Sequence, residues 1–221
     1  MKVSKYTGKY IEKAEPPYYG ADYIDRFIND NYIKNRKNGF FVECGAYDGI
    51  AESTCKYFED QLGWTGINIE PLPNPYSELI KNRPKCINLN LALFDHDGVI
   101  NFCKSGLWGG PGSINQVPYY KVNEKQKVPT KKFNIECKKF SSVWNELKLD
   151  KEIDIFVLDI EGFELYCIPD ILTINPLPKI FCIEWPLVGI EAINKILDKY
   201  YKIDKIIGHN ALYLRSSTYE T

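Results

Sequence analysis

The 221-residue sequence has no excess of either charge: 28 basic and 29 acidic residues leave a formal net charge of -1. With the two signs well mixed, no overall field draws the chain to nucleic acid or to an anionic membrane surface. Neither a polynucleotide nor a membrane is expected as partner. No window approaches the roughly 20 apolar residues that span a bilayer, and the opening MKVSKYTGKYIEKAEPPYYG lacks the apolar stretch of a signal peptide. Cysteines stand at 44, 55, 86, 103, 137, 167 and 182 without a CxxC pair, several of them inside apolar runs where a thiol packs as a small hydrophobe. That pattern fits a reducing compartment, so a soluble, cytoplasmic protein is expected. Internal repeats and low-complexity segments are also missing.

What is present is an alternation of short apolar runs and amphipathic stretches, in a chain long enough for one sizeable core. Residues 1–35 read as an N-terminal extension in which ADYIDRFINDNYIK (21–34) is an amphipathic helix, packing on the sheet or roofing the site. Residues 36–221 read as the catalytic domain. GFFVEC is a buried strand entering a tight turn, followed by a helix from about Glu52 to Leu62. TGINIE (65–70), the helix YSELIKN (76–82) and the strand KCINLNLAL (85–93) come next. VINFC and KFNIECKKF are further strands. The helix SSVWNELK takes its N-cap from Ser141 or Ser142. IDIFVLDI (153–160), the helix EGFELYCI, the strand KIFCIEW and the helix VGIEAINKILDKY precede a closing hairpin through GHN. The expected class is α/β: a Rossmann-like, seven-stranded, mostly parallel sheet with one antiparallel hairpin strand and helices on both faces.

In such a sheet ligands bind beyond the carboxyl ends of the strands, beside the first one. Gly45 and Gly49 let the backbone turn sharply and approach a ligand there, and Glu43 and Asp48 flank the turn. A phosphate loop avoids carboxylates beside its glycines, whereas a ligand carrying an ammonium and a sulfonium welcomes them. GAYDG also departs from GxGxxG, which argues against a dinucleotide. Glu70, about 25 residues past Gly45, stands where an acid commonly accepts hydrogen bonds from ribose hydroxyls.

FVECGAYDGIAESTCKYFEDQLGWTGINIEPLPNPYSELIKNRPKC, with LALFDHDG and VLDIEGFELYCI, resembles the FkbM-type methyltransferases. The resemblance runs from about Phe40 to Ile168 and thins through IEW to Glu184. It implies a class I fold, S-adenosylmethionine as cofactor, and transfer to a hydroxyl oxygen of a sugar, as glycan or nucleotide sugar, or of a small natural product. By position it implies that Glu43, Gly45, Ala46, Asp48, Gly49 and Ser53 line the methionine end. Glu70 would hold the ribose, Pro71 and the stretch from Asn90 to Ala92 would flank the adenine, and Asp159 with Glu161 would stand at the reaction centre. Many relatives carry a lysine two residues before that Asp, where this chain has Val157.

Methyl transfer from a sulfonium is an in-line displacement in which the protein aligns and desolvates the acceptor. A hydroxyl must also lose its proton, and Asp159, Glu161, Glu184 and His209 are the candidate catalytic groups. No metal site is expected. Magnesium is admitted only as an alternative, with Asp159 and Glu184 as its ligands. His96 reads as a turn residue and Glu164 as a solvated helix face. The loop SGLWGGPGSINQVPYY (105–120) is the candidate acceptor lid, with Trp108, Ser113, Tyr119 and Tyr120 as substrate contacts. Two other readings stand beside this one: an NAD-dependent sugar oxidoreductase, which lacks its GxGxxG turn, and a noncatalytic methyltransferase-like binding domain. Methylation of base amino nitrogens is disfavoured, because LDIEG stands where an Asn-Pro-Pro-Tyr-like motif belongs.

Overall fold

The computed structural model describes residues 14–105, 108–111 and 130–216. In chain order the elements are α1 (Ile24–Ile28), β1 (Phe40–Cys44), α2 (Lys56–Leu62), β2 (Thr65–Ile69), α3 (Pro73–Asn82), β3 (Ile87–Leu89) and β4 (Ala92–Leu93). They continue with β5 (Gly98–Ser105), β6 (Trp108–Pro111), β7 (Thr130–Lys138), α4 (Phe140–Leu147), β8 (Ile155–Leu158) and α5 (Glu164–Ile171). The last are β9 (Ile180–Glu184), α6 (Ile190–Leu197), β10 (Tyr201–Ile207) and β11 (Asn210–Arg215).

Seven strands form one sheet in the order β10-β11-β9-β8-β1-β2-β3. Five pairings place β1 centrally: it lies parallel to β2 and β8, β3 and β9 continue the parallel run, and β11 is antiparallel to β9. Val42 faces Ile67 on one side and Phe156 on the other. Side chains alternate along each strand, so every central strand supplies both faces. Phe40, Val42, Cys44, Phe156, Leu158, Phe181 and Ile183 pack under α4, α5 and α6, against Phe140, Trp144, Ile168, Ile171, Ile193 and Leu197. Phe41, Ile155, Val157, Ile180 and Cys182 point the other way, against Ile24, Ile28, Tyr57, Phe58 and Leu62. Each fully buried aliphatic side chain contributes roughly 1.5–3 kcal/mol, which explains why these strands are apolar except for Glu43 and Glu184 near their carboxyl ends.

A second sheet, β4-β7-β5-β6, is inserted between β3 and α4 around its own core of Leu72, Ala92, Ile100, Phe102, Ile135 and Cys137.

Four local expectations are corrected. The leading helix breaks into a 3-10 turn at Ala21–Tyr23, α1, and a wider π turn at Asn29–Ile33, because Asp22 and Tyr23 take left-handed φ of 54° and 55°. It packs on the sheet through Ile24, Ile28 and Ile33. The helix after β1 begins at Lys56 rather than Glu52, because residues up to Cys55 form the turn and Glu52 itself is left-handed at φ 57°. The single strand expected over 85–93 divides at Asn90, and β4 leaves the main sheet to pair with β7. Finally, Lys139 caps α4 in place of Ser141 or Ser142, with its N–H donating to Asp97 at 2.8 Å; Ser141 instead donates through its N–H and hydroxyl to Asp170, at 2.8 and 2.6 Å.

Candidate active site

The carboxyl ends of β1, β2, β8 and β9 bring the acids together. After β1 the chain turns at Gly45, whose N–H, like that of Ala46, donates to the Ile69 carbonyl of β2 (3.0 and 3.1 Å). Gly45 has φ +81°, and a Cβ there would lie 1.9 Å from the Asp159 carbonyl. Only glycine allows that approach. Asp48 folds its own turn, its Oδ1 accepting the N–H groups of Ile50 and Ala51 at 2.9 and 2.8 Å. Glu70, 5% exposed, accepts the Tyr47 N–H at 3.0 Å through Oε2 and the Leu72 N–H at 2.7 Å through Oε1. It thus ties the turn after β1 to the turn after β2. Asn90 donates to the carbonyls of Glu70 and Pro71, at 2.9 and 3.1 Å.

Glu43 sits on the Phe41 face of β1, and its carboxylate is already engaged. It accepts the Ser53 hydroxyl (2.8 Å to Oε2), the Cys55 N–H (3.1 Å) and Arg83 Nη1 (3.3 Å). Arg83 is fully buried and also bonds Glu59, the Ser53 hydroxyl and the Gly49 carbonyl. Burial opposes the Arg83 charge, but Glu43 and Glu59 outweigh it and raise its pKa. Glu43 and Ser53 therefore back the turn after β1 from behind, and the Ala92 side chain belongs to the core of the small sheet. Arg83 escaped the sequence reading because its partners lie 24 and 40 residues away, with no local pattern to reveal them.

The second group of acids has no such counterion among the described residues. Asp159 follows β8, Glu184 ends the neighbouring β9, and β8 pairs with β9 as far as Leu158 opposite Ile183. Burial raises the pKa of Asp159, with Glu52 and Glu43 adding to it, while a hydrogen bond from Glu184 works the other way. Burial also raises Glu184, and the Asp159, Glu161 and Glu164 charges push it further. Like charges at neighbouring strand ends oppose each other's ionisation, so both acids are shifted toward their protonated forms. Burial and the Asp159 charge raise Glu161 as well. His209 Nδ1 lies 4.0 Å from Glu184 Oε1.

Glu164 corrects the expectation of a solvated helix face: it has no exposed surface. Its Oε1 accepts the N–H groups of Ile160 and Gly162, at 3.0 and 3.1 Å. Burial raises its pKa to about 7 against the pull of those backbone bonds. Its place in the first turn of a helix, where an acid reaches back to orphan amides, was the available signal. His96 is the exposed turn residue expected, 2.7 Å from Asp95. Of the lid contacts, Trp108 begins β6 through its backbone, whereas Ser113, Tyr119 and Tyr120 lie outside the described residues.

Residues 43–208 match the family described as the methyltransferase FkbM domain. The chain belongs to the FkbM methyltransferase family. Its seven-stranded, mostly parallel sheet with one antiparallel hairpin is of the Rossmann-like class expected from the sequence. No curated protein matches the sequence significantly. Among solved structures, a methyltransferase FkbM from Methylobacillus flagellatus KT is 15% identical with a TM-score of 0.49, over 80% of this chain and 43% of that one. This FkbM chain thus spans less than half the length of that protein. Aeropyrum pernix fibrillarin with natively bound S-adenosyl-L-methionine is 9% identical with a TM-score of 0.48, over 87% of this chain and 73% of that one. A TehB-like SAM-dependent methyltransferase from Corynebacterium glutamicum is 9% identical with a TM-score of 0.46, over 87% of both chains.

Among the described residues no group of three or more His, Cys, Asp or Glu side chains is arranged to hold a metal ion, and no helix is long and apolar enough to cross a membrane.

Proposed function

We propose that this FkbM methyltransferase transfers the methyl group of S-adenosylmethionine to a hydroxyl oxygen of a sugar or a small natural product, with Asp159 as the general base. The placement of Asp159 and Glu184 at the ends of adjacent strands, with the Asp159 backbone against the Gly45 turn, is the observation that carries this reading.

The residues present fit the cofactor. Gly45 is open to solvent on a turn that tolerates no Cβ, and the turn is lined by acids, as a ligand with a sulfonium and an ammonium requires. The Oε2 atoms of Glu161 and Glu184 are buried without a hydrogen-bond partner among the described residues, as expected of groups that meet a bound ligand. In this reading Gly45, Ala46, Asp48 and Gly49 shape the methionine end, Glu70 holds the ribose, and Pro71 and Asn90 border the adenine. When bound, the cofactor supplies an electrophilic methyl and a neutral thioether leaving group.

Residues 36–221 form the catalytic domain, and the preceding segment seals one face of its sheet. Asp159 accepts the hydroxyl proton as the acceptor oxygen attacks. Glu184 ends the adjacent strand, and burial with the Asp159 charge shifts Glu161 toward its neutral form. A small-molecule or glycan acceptor fits the balanced surface charge better than a nucleic acid.

Calorimetric titration of S-adenosylmethionine and S-adenosylhomocysteine into the purified protein tests the cofactor site. Micromolar binding is expected, weakened at least tenfold by Glu70→Ala and by Asp48→Ala. Labelled-methyl transfer to parallel panels of sugars and amines tests the acceptor. No binding by the folded protein, or transfer confined to amines, would overturn the reading.

A further inference from the structure

We propose that Glu164 is a positioning residue: from the rigid start of α5 its carboxylate clamps the turn Asp159–Gly162 and holds Glu161 toward the methyl-bearing end of the cofactor. This rests on the functional reading above, in which Asp159 and Glu161 stand at the reaction centre.

Three observations support it. The turn is conformationally costly, since Glu161 is left-handed at φ 61° and Gly162 follows at φ 93°; a non-glycine residue persists there only when its surroundings over-determine it. The two amides that flank Glu161, those of Ile160 and Gly162, both end on one oxygen of Glu164. The bonds straddle the strained residue. The clamp also stands on firm ground, because α5 sends Cys167, Ile168 and Ile171 into the main core at 2%, 0% and 0% exposure. A site group is held most accurately when its support belongs to a packed helix.

The other carboxylate oxygen, Oε2, is buried with no hydrogen-bond partner among the described residues. A residue serving fold stability alone gains nothing from a carboxyl with one idle oxygen, which costs desolvation free energy. Within reach of the Asp159 charge, it instead adds, when ionised, to the negative potential where a sulfonium would lie. The clamp therefore fixes the geometry of the turn and contributes to its field.

Glu164→Gln keeps an acceptor oxygen for both amides, whereas Glu164→Ala removes it. Hydrogen exchange across residues 159–163 reads the turn. The ratio of affinities for S-adenosylmethionine and S-adenosylhomocysteine, by calorimetry, reads the charge at the methyl end. In Glu164→Ala, exchange at Ile160 and Gly162 is expected to rise at least tenfold and the wild-type preference for the sulfonium ligand to shrink at least threefold. Glu164→Gln is expected to restore the slow exchange while leaving the preference reduced, because it keeps the acceptor oxygen and loses the charge. Unchanged exchange in a folded Glu164→Ala protein would overturn the proposal, and so would equal weakening of both ligands with their ratio intact, which is the mark of a purely structural role. If wild-type protein binds neither ligand, the cofactor reading fails instead. The proposal then fails as a statement about catalysis, while the exchange data still decide whether the clamp exists.

Discussion

Two groups of buried carboxylates lie at the same edge of one sheet and are held in opposite ways. Behind β1, Glu43 and Glu59 share the fully buried Arg83, so that two carboxylates are held by one guanidinium inside a web of hydrogen bonds. After β8 and β9, Glu164 and Glu184 are buried as deeply, and Asp159 and Glu161 are half-buried beside them, with no Lys or Arg ion pair among the described residues. Burial and their mutual repulsion raise their pKa values. Burial alone does not decide what a carboxylate does; its counterion does. The paired group backs the turn after β1, and the unpaired group keeps a standing demand for positive charge or for protons, which is what the proposed site for a sulfonium and an acidifying hydroxyl would need.

Breaking the pairing behind β1 should have the largest effect. Arg83→Met leaves Glu43 and Glu59 buried without a counterion, at a cost of about 3–5 kcal/mol, read as a lowered thermal midpoint at neutral pH. An unchanged midpoint would mean that the two clusters are not electrostatically different.

The unpaired side should answer with the opposite sign and a smaller magnitude. Glu184 titrates higher in the folded chain than the roughly 4.3 of an unfolded glutamate, so the native state binds its proton more tightly. That contribution is present in full below the unfolded value and fades as pH rises toward the folded one, at most by about 1.4 kcal/mol per pH unit. Glu184→Gln imitates the protonated form. Its melting temperature relative to wild type is expected to climb steadily from pH 5 to pH 9; a constant difference would show that Glu184 carries no extra proton.

The smallest effect belongs to an ion pair in water. Lys81 and Glu78 are 2.8 Å apart but 64% and 54% exposed, and Lys81→Ala should change stability by less than about 0.5 kcal/mol. A larger loss would mean that pairing matters here regardless of burial.

The parallel core was legible because strands buried on both faces read as unbroken apolar runs, as in IFVL and FFV, and because Gly45 follows the first of them directly. Family motifs then located Glu70 and Asp159. What escaped depended on distance or on backbone strain. Arg83 is unreadable beside its lysine neighbours until folding brings it to Glu43. The apolar spacing of 21–34 correctly marked Ile24 and Ile28 as inward, yet no periodicity announces the left-handed pair at Asp22 and Tyr23 that divides the helix. Glu164 was assigned to water by residue type, a rule that fails where backbone amides offer a buried carboxylate its partners. KCINLNLAL reads as one strand because its apolar character continues past the point where β4 joins a different sheet.

The central position of β1 has a consequence for synthesis. One edge of that strand is covered by β2 almost at once, but the other waits for β8, across a separation of 114 residues between Phe40 and Asp154. As the chain leaves the ribosome, a half-finished sheet with an open apolar edge must persist while the whole inserted small sheet is being translated. Closing so long a loop is slow, so the docking of β8 sets the pace at which this enzyme matures and marks the interval in which its nascent chain is most exposed to aggregation.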